Sequence, residues 1–231
     1  MLLAQPAQKK AQYTYVSQWG VPRGMWAEYE KSAAVDVDIL GKAVVDGTLV
    51  SFGTYSVLAH QEGQPTHGIW FSAMSMAGLM KGLEALRAAP QSPVLGSSKH
   101  SDVILRSTDY NGHAGTFKNG YLRVGTWNYK AGASDPGGQV TKATMSGMFE
   151  KLLDEGALHA YQIDTETVHS ADPGAVNLVI IANGAEGIDK FDAAIDEMQK
   201  TNPAGEKAFG SLFTESGHRD MLARVDMMTH K

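Results

Sequence analysis

Apolar positions along this chain fall into short alternating runs separated by longer stretches of helical spacing. Tyr13 to Trp19 alternates and is rich in aromatic residues, which predicts a strand. Trp26, Tyr29, Ala33, Val37, Leu40 and Val44 follow at the three-and-four spacing of a helix, and Asp46-Gly47 provides the residues at which such helices stop. Leu49 to His60 is rich in β-branched and aromatic residues, Gln61 to Thr66 carries turn chemistry, and Gly68 to Ala73 completes a predicted hairpin. Met76, Leu79, Leu83 and Leu86 mark a second helix, and Val103 to Thr108 a fourth strand. The same order then recurs: strand Tyr121 to Trp127, helix Val140 to Leu153, strands Leu158 to His169 and Asn177 to Ala182, helix Ile188 to Met198, and strand Met221 to Asp226.

Residue matches support the recurrence. Tyr13, Val16 and Trp19 share a Tyr-x-x-Val-x-x-Trp frame with Tyr121, Val124 and Trp127, displaced by 108 residues (13 to 121). Gly47, Leu49, His60, Ala73, Gly78, Lys81 and Ala85 match Gly156, Leu158, His169, Ala182, Gly187, Lys190 and Ala194 without gaps at 109 (47 to 156). His100-x-Asp102-x-x-x-Arg106 matches His218-x-Asp220-x-x-x-Arg224 at 118 (100 to 218), which places nine extra residues in the loop before the last strand. A fixed displacement of this size marks a duplicated unit. The expected organisation is a disordered or processed tail over 1–12, a first module over 13–110, a linker or exposed hairpin over 111–120, and a second module over 121–231.

A βαββαβ unit is ferredoxin-like: both helices cover one face of a four-stranded antiparallel sheet and the other face is left bare. Two modules in one chain cover those faces by packing sheet to sheet, giving an α+β fold arranged as an α/β barrel. In this the chain, over about residues 13–228, resembles the dimeric α/β-barrel superfamily in fused tandem form; the resemblance is architectural and carries no diagnostic motif. It implies a central cavity. The superfamily includes cofactor-independent monooxygenases, isomerases, lyases and haem enzymes, so the resemblance implies a small-molecule site without choosing its chemistry or cofactor.

Composition narrows the partners. With 231 residues, 43% hydrophobic and 19% charged, the chain can bury a substantial core. A net charge of −5 and the lack of any basic run argue against nucleic acid or an anionic membrane as partner. There is no cysteine, which excludes disulfides, thiolate catalysis and thiolate metal sites. Met1 to Gln12 is apolar for only a few residues and cannot span a bilayer; it is compatible with a trimmed export signal or a cytoplasmic tail. The sequence leaves the oligomeric state open.

Candidate chemistry follows from strand alternation. One face of the first strands carries Tyr13, Tyr15, Ser17 and Trp19, matched by Tyr121, Arg123, Gly125 and Trp127; the other carries Thr14, Val16 and Gln18, matched by Leu122, Val124 and Thr126. Large aromatics around one guanidinium suit a planar or anionic ligand, so Tyr13, Tyr15, Trp19, Tyr121, Arg123 and Trp127 are the expected lining of the central cavity, with simple barrel filling as the alternative. Arg123 is expected to pair with Asp164 or Glu166, or with the anionic group of a ligand. The recurring His–Asp–Arg rows could orient a general base, but their retention in both copies favours a structural strap opening the last strand. His60 and His67 flank a hairpin loop near Glu62, yet the second copy has Val176 in place of His67, and a metal site is not expected. Glycine-rich Gly132 to Gly138 lacks any nucleotide-binding context. Two functions compete: a ligand-binding protein or enzyme with its site in the barrel between the modules, and a non-catalytic stress or envelope protein whose packed barrel binds a partner on its outer surface.

Overall fold

The computed structural model describes residues 9–90, 92–135, 138–169 and 175–231; residues 1–8 of the expected tail and Pro136 and Gly137 of the glycine-rich loop lie outside them. The first half runs β1 (Gln12–Gly20), α1 (Trp26–Val45), β2 (Ser51–Val57), β3 (His67–Ala73), α2 (Met76–Ala88), α3 (Pro93–Gly96) and β4 (Lys99–Gly112). A short β5 (Gly115–Phe117) leads into β6 (Tyr121–Asn128), α4 (Gln139–Asp154), β7 (Leu158–His169), β8 (Ala175–Ala182), α5 (Ala185–Thr201), α6 (Pro203–Leu212) and β9 (Arg219–His230). Every strand and helix expected from periodicity is present. The stretch 111–120 is not a bare linker, since it contains the end of β4 and all of β5.

Rather than stacking two separate sheets, the halves join edge to edge. The strand order β2-β3-β1-β4-β7-β8-β6-β9 closes on itself through an antiparallel β9–β2 pairing, so eight strands form one antiparallel barrel, and β5 lengthens it by pairing with the end of β9. The reason is hydrogen bonding: an open four-stranded sheet leaves two rows of N–H and C=O groups unpaired, and the β4–β7 and β2–β9 seams pair these edges with each other. Register shifts at Ile104/Leu105 and Ser107/Asp109 on the first seam and Thr54/Tyr55 on the second give the local bend that closure needs.

Helices cover the outside of the barrel. Leu40, Val44, Leu49, Phe52, Phe71 and Leu79 form the core between α1, α2 and the first-half strands, while Met145, Phe149, Leu152, Tyr161, Ile180 and Phe191 form its counterpart under α4 and α5. Local signals fix the helix ends. Gly47 stops α1 at φ +84°, Ser75 caps α2 by accepting from the N–H of Gly78, and the Asp135 carboxylate accepts from the N–H groups of Val140 and Thr141 at the start of α4. Among the described residues no helix is long and apolar enough to cross a membrane.

Candidate functional site

The face assignment of the first strands is opposite to the sequence expectation. Thr14, Val16, Gln18, Leu122, Val124 and Thr126 line the barrel lumen. Tyr13 and Tyr15 pack instead on the α1/α2 core, and Trp127 on the core beneath α4 and α6. Trp19 joins Tyr29 and Val94 beside α1, and Tyr121 and Arg123 share that outward face by alternation. Alternation divides a strand into two faces but does not say which one meets the helices. The wide space between a helix and a sheet takes aromatic rings, whereas β1 and β6 turn toward the lumen only the smaller aliphatic, threonine and glutamine side chains at 14, 16, 18, 122, 124 and 126.

The outward face nevertheless builds a site. In the first half a cleft of about 440 Å3 lies between the sheet and helices α1 to α3. On its sheet side the antiparallel register sets Trp19 opposite His100 and Ser17 opposite Asp102. The Trp19 and His100 rings stack at 4.6 Å and 16°, and His100 Nε2 stands 3.7 Å from the Asp102 carboxylate. Ser17 Oγ and Asp102 Oδ1 are buried without a well-formed hydrogen bond, and the Tyr15 hydroxyl stands close enough to interact with both. Tyr15 stands beside them; burial first, then the Asp102 carboxylate, push its phenol well above the ordinary value, so its hydroxyl stays protonated and able to donate. From the helices come Asp36, whose carboxyl burial raises to about 6, and Arg87. Sequence reasoning named Tyr15, Trp19, His100 and Asp102 but assigned them to separate places. It placed Ser17 on the face of Tyr15 and Trp19 without giving it a role, and it missed Asp36 and Arg87, since only the packing of α1 and α2 brings those two to the cleft.

The equivalent space in the second half is filled. Trp127 stacks on His218 at 4.5 Å and 10°, and His218 Nε2 stands 3.5 Å from Asp220, which repeats the first-half arrangement. Here, however, Gly125 replaces Ser17 and the Trp127 ring lies over it, so closely that a Cβ would come within 2.3 Å. Arg123 takes the place of Tyr15 and is held by Asp192 of α5 and by Asp220 at 3.8 Å, with its guanidinium 5.4 Å from the Phe191 ring centre. It pairs with neither Asp164 nor Glu166, which line the lumen on the other face of the sheet. The nine-residue excess before the last strand is α6, and its Phe209 packs edge-on against Trp127 at 5.7 Å, with Phe213 at 6.4 Å. The first half has only the single turn α3 in the corresponding position.

The remaining candidates are dispersed. His67 is buried against Tyr29 and Trp26 and bonded to Thr66, and burial lowers it to about 4; His60 lies beyond Trp26. Among the described residues no group of three His, Asp or Glu side chains is arranged to hold a metal ion. The lumen itself is a cavity of about 1030 Å3.

No protein-family model matches the chain, and a search of curated proteins finds no sequence match. Solved structures do match over nearly the whole length. A protein assigned as a monooxygenase from Lactobacillus acidophilus NCFM superimposes with a TM-score of 0.61 at 10% identity, covering 95% of this chain and 96% of its own. An anthrone oxidase-like protein gives 0.62 at 10% identity, covering 96% and 94%. A point variant of chlorite dismutase from Candidatus Nitrospira defluvii gives 0.54 at 12% identity, covering 93% and 91%. Identities this low speak for the fold alone. With a closed eight-stranded antiparallel barrel, helices on its outside and these neighbours along its whole length, the chain has the fold of the dimeric α/β-barrel superfamily.

Proposed function

We propose that the chain is a small-molecule enzyme built from two tandem ferredoxin-like copies, with its reaction site in the open sheet–helix cleft of the first copy. The observation that carries this reading is asymmetry. Both halves hold the stacked Trp–His–Asp row, but only in the first is the space in front of it open and bordered by buried polar atoms without well-formed hydrogen bonds. A structural strap explains the row in the second half, where Phe209 and Phe213 pack against Trp127. It does not explain why the first half leaves Ser17 Oγ and Asp102 Oδ1 buried with only the Tyr15 hydroxyl near them, since burying such groups without well-formed hydrogen bonds costs up to about 1–3 kcal/mol each. A ligand that hydrogen-bonds to them offsets that cost. The non-catalytic alternative required a packed barrel, and the lumen of about 1030 Å3 disfavours it.

The chemistry of the cleft suits a flat, enolisable molecule. The Trp19–His100 stack offers a wall for a planar ring system, and 440 Å3 is within the range of small-molecule pockets. His100, oriented by Asp102, is placed to take a proton, while the hydroxyls of Tyr15 and Ser17 donate hydrogen bonds to the enolate oxygen that forms. Haem does not fit these residues: His100 lies flat against Trp19 with Nε2 turned to Asp102, so it is not presented edge-on to the cleft. The names of the monooxygenase and anthrone oxidase-like neighbours favour an oxidative outcome with dioxygen as oxidant. For anthrone as probe the balance is anthrone plus O2 giving anthraquinone plus water.

The test follows oxygen uptake and anthraquinone formation, with tryptophan quenching as the binding signal. His100→Ala and Tyr15→Phe are expected to lower the rate about 100-fold, in the range of a lost general acid–base group. His218→Ala, which carries the same change into the filled cleft, leaves it unaltered. Equal losses in His100→Ala and His218→Ala, or no anthrone-dependent quenching that Trp19→Phe removes, would overturn the assignment.

A further inference from the structure

The barrel lumen is a second space, on the opposite face of the sheet from the cleft and with different chemistry. Its middle is apolar, lined by Val16, Leu105, Leu122, Val124, Val179 and Ile181. An eight-stranded barrel is normally just wide enough for its own side chains to fill. Two glycines keep this one open. The Trp70 indole lies flat on Gly53 of the adjacent strand, where a Cβ would stand 2.2 Å from the ring, and the Tyr55 phenol lies in the same way on Gly68, at 2.3 Å. Both large rings are therefore laid against the wall rather than across the bore.

At one end the lumen carries a polar cluster that is satisfied except at a single atom. Gln12 Nε2 donates to Gln162 Oε1 at 3.1 Å, Gln162 Nε2 donates to Thr14 Oγ1 at 3.1 Å and to Asp164 Oδ1 at 2.7 Å, and Thr14 and Ser72 share a hydrogen bond of 2.8 Å. Ser107 Oγ also donates to Asp164 Oδ1. Asp164 is 1% exposed, and its Oδ2 has no partner among the described residues. A carboxyl held by two donors on one oxygen and by nothing on the other, at the end of an apolar bore, is arranged to receive one more donor.

We propose that the lumen is a second binding site, for an apolar molecule with a hydroxyl head that donates to Asp164 Oδ2 while its body lies along Trp70, Tyr55 and the valines. The inference does not rest on the cleft reading. Above the pH of about 7 at which the buried Asp164 loses its proton, an anionic head is rejected, because a second carboxylate beside the ionised Asp164 in a low-dielectric bore is repelled. A head without a donor leaves Oδ2 unsatisfied and binds more weakly by one hydrogen bond, about tenfold.

The experiment, run at pH 8.5, uses 1-aminoanthracene, whose emission rises in an apolar site, displaced by 1-decanol, decyl methyl ether and decanoate. Decanol is expected to displace it about tenfold more tightly than the ether, with decanoate weaker still. Asp164→Leu and Asp164→Asn both remove the difference between decanol and ether, the asparagine because its oxygen stays with Ser107 and Gln162 while its amide group, a donor to either ligand, replaces the Oδ2 acceptor. Val179→Trp, which fills the bore, abolishes probe binding and leaves anthrone turnover in the cleft intact; Val16→Phe is the second filling variant should the first not fold. Probe binding that survives both filling variants but is lost in His100→Ala would place the probe in the cleft and overturn the lumen site. Equal displacement by decanol and decanoate would overturn the role of Asp164. Failure of anthrone turnover with retained decanol-sensitive binding would refute the cleft reading alone.

Discussion

Asp164 offers the most direct measure of how the lumen treats a charge. Burial raises its carboxyl from 3.8 to about 7, against the opposing pull of the hydrogen bonds from Ser107 and Gln162. The folded state therefore binds a proton that the unfolded chain has already released, and stability falls as pH rises between those two values. At about 1.4 kcal/mol per tenfold in proton affinity, the full effect is on the order of 4 kcal/mol. The part that lies above pH 5 is about 3 kcal/mol, reached by pH 8. Asp164→Asn keeps the acceptor for both donors and cannot ionise. Its two amide hydrogens sit where Oδ2 stands unbonded, at a cost of about 1–3 kcal/mol that does not depend on pH. The variant is thus expected to be less stable than the parent at pH 5 and equal to or more stable than it at pH 8. Urea unfolding of both proteins at pH 5.0 and 8.5 reads this directly, because every other titrating group cancels in the comparison. The difference between the two proteins should change by about 3 kcal/mol, or about 6–10 °C in melting temperature for a chain of this size. A difference that stays constant across this range to within about 0.5 kcal/mol would mean that Asp164 ionises as freely in the fold as in water, and the desolvation argument would be refuted.

Two further expectations concern the filled half. Phe209→Ala removes the ring packed on Trp127 and should cost about 3 kcal/mol, with a red shift of tryptophan emission as water reaches the indole; an unchanged melting temperature would show that α6 does not hold the cleft shut. Arg123→Met loses its contacts to Asp192 and Asp220, both well exposed, and should cost no more than about 1 kcal/mol while leaving anthrone binding in the first-half cleft unaltered; a selective loss of binding would assign Arg123 to a ligand instead.

Most of the architecture is legible in the sequence because it is written twice. Periodicities of two and of roughly three and a half fix strands and helices locally, and the displacements of 108 and 109 show that the same order is used again. The orientation of β1 and β6 is not legible in that way. A face with Tyr13, Tyr15 and Trp19 reads equally as pocket lining or as helix-facing core, and only the apolar stripes of α1 and α2, at Leu40, Val44 and Leu79, require large rings opposite them. Closure was hidden too, since no side-chain pattern records which edges pair. The nine-residue excess at displacement 118 was visible, yet as a loop it carried no meaning. Asn202 followed by Pro203, a capping residue before a proline at the first helical position, and Phe209 and Leu212 three residues apart were the signals that it forms a helix with one apolar edge.

On the reading proposed above, that insertion separates the two halves in function. Each half carries a Trp–His stack beside an Asp on the outward face of its sheet, and that shared row alone offers no reason to prefer either. In the second copy three changes act together: Gly125 lets Trp127 settle onto the sheet, Arg123 exchanges a phenol for ion pairs with Asp192 and Asp220, and α6 brings Phe209 and Phe213 against the indole. Each buries apolar surface or pairs charge, so each stabilises the fold at the expense of an open site. The first copy keeps Ser17, Tyr15 and only the single turn α3, and so retains the buried oxygens without well-formed hydrogen bonds that a packed core would have removed.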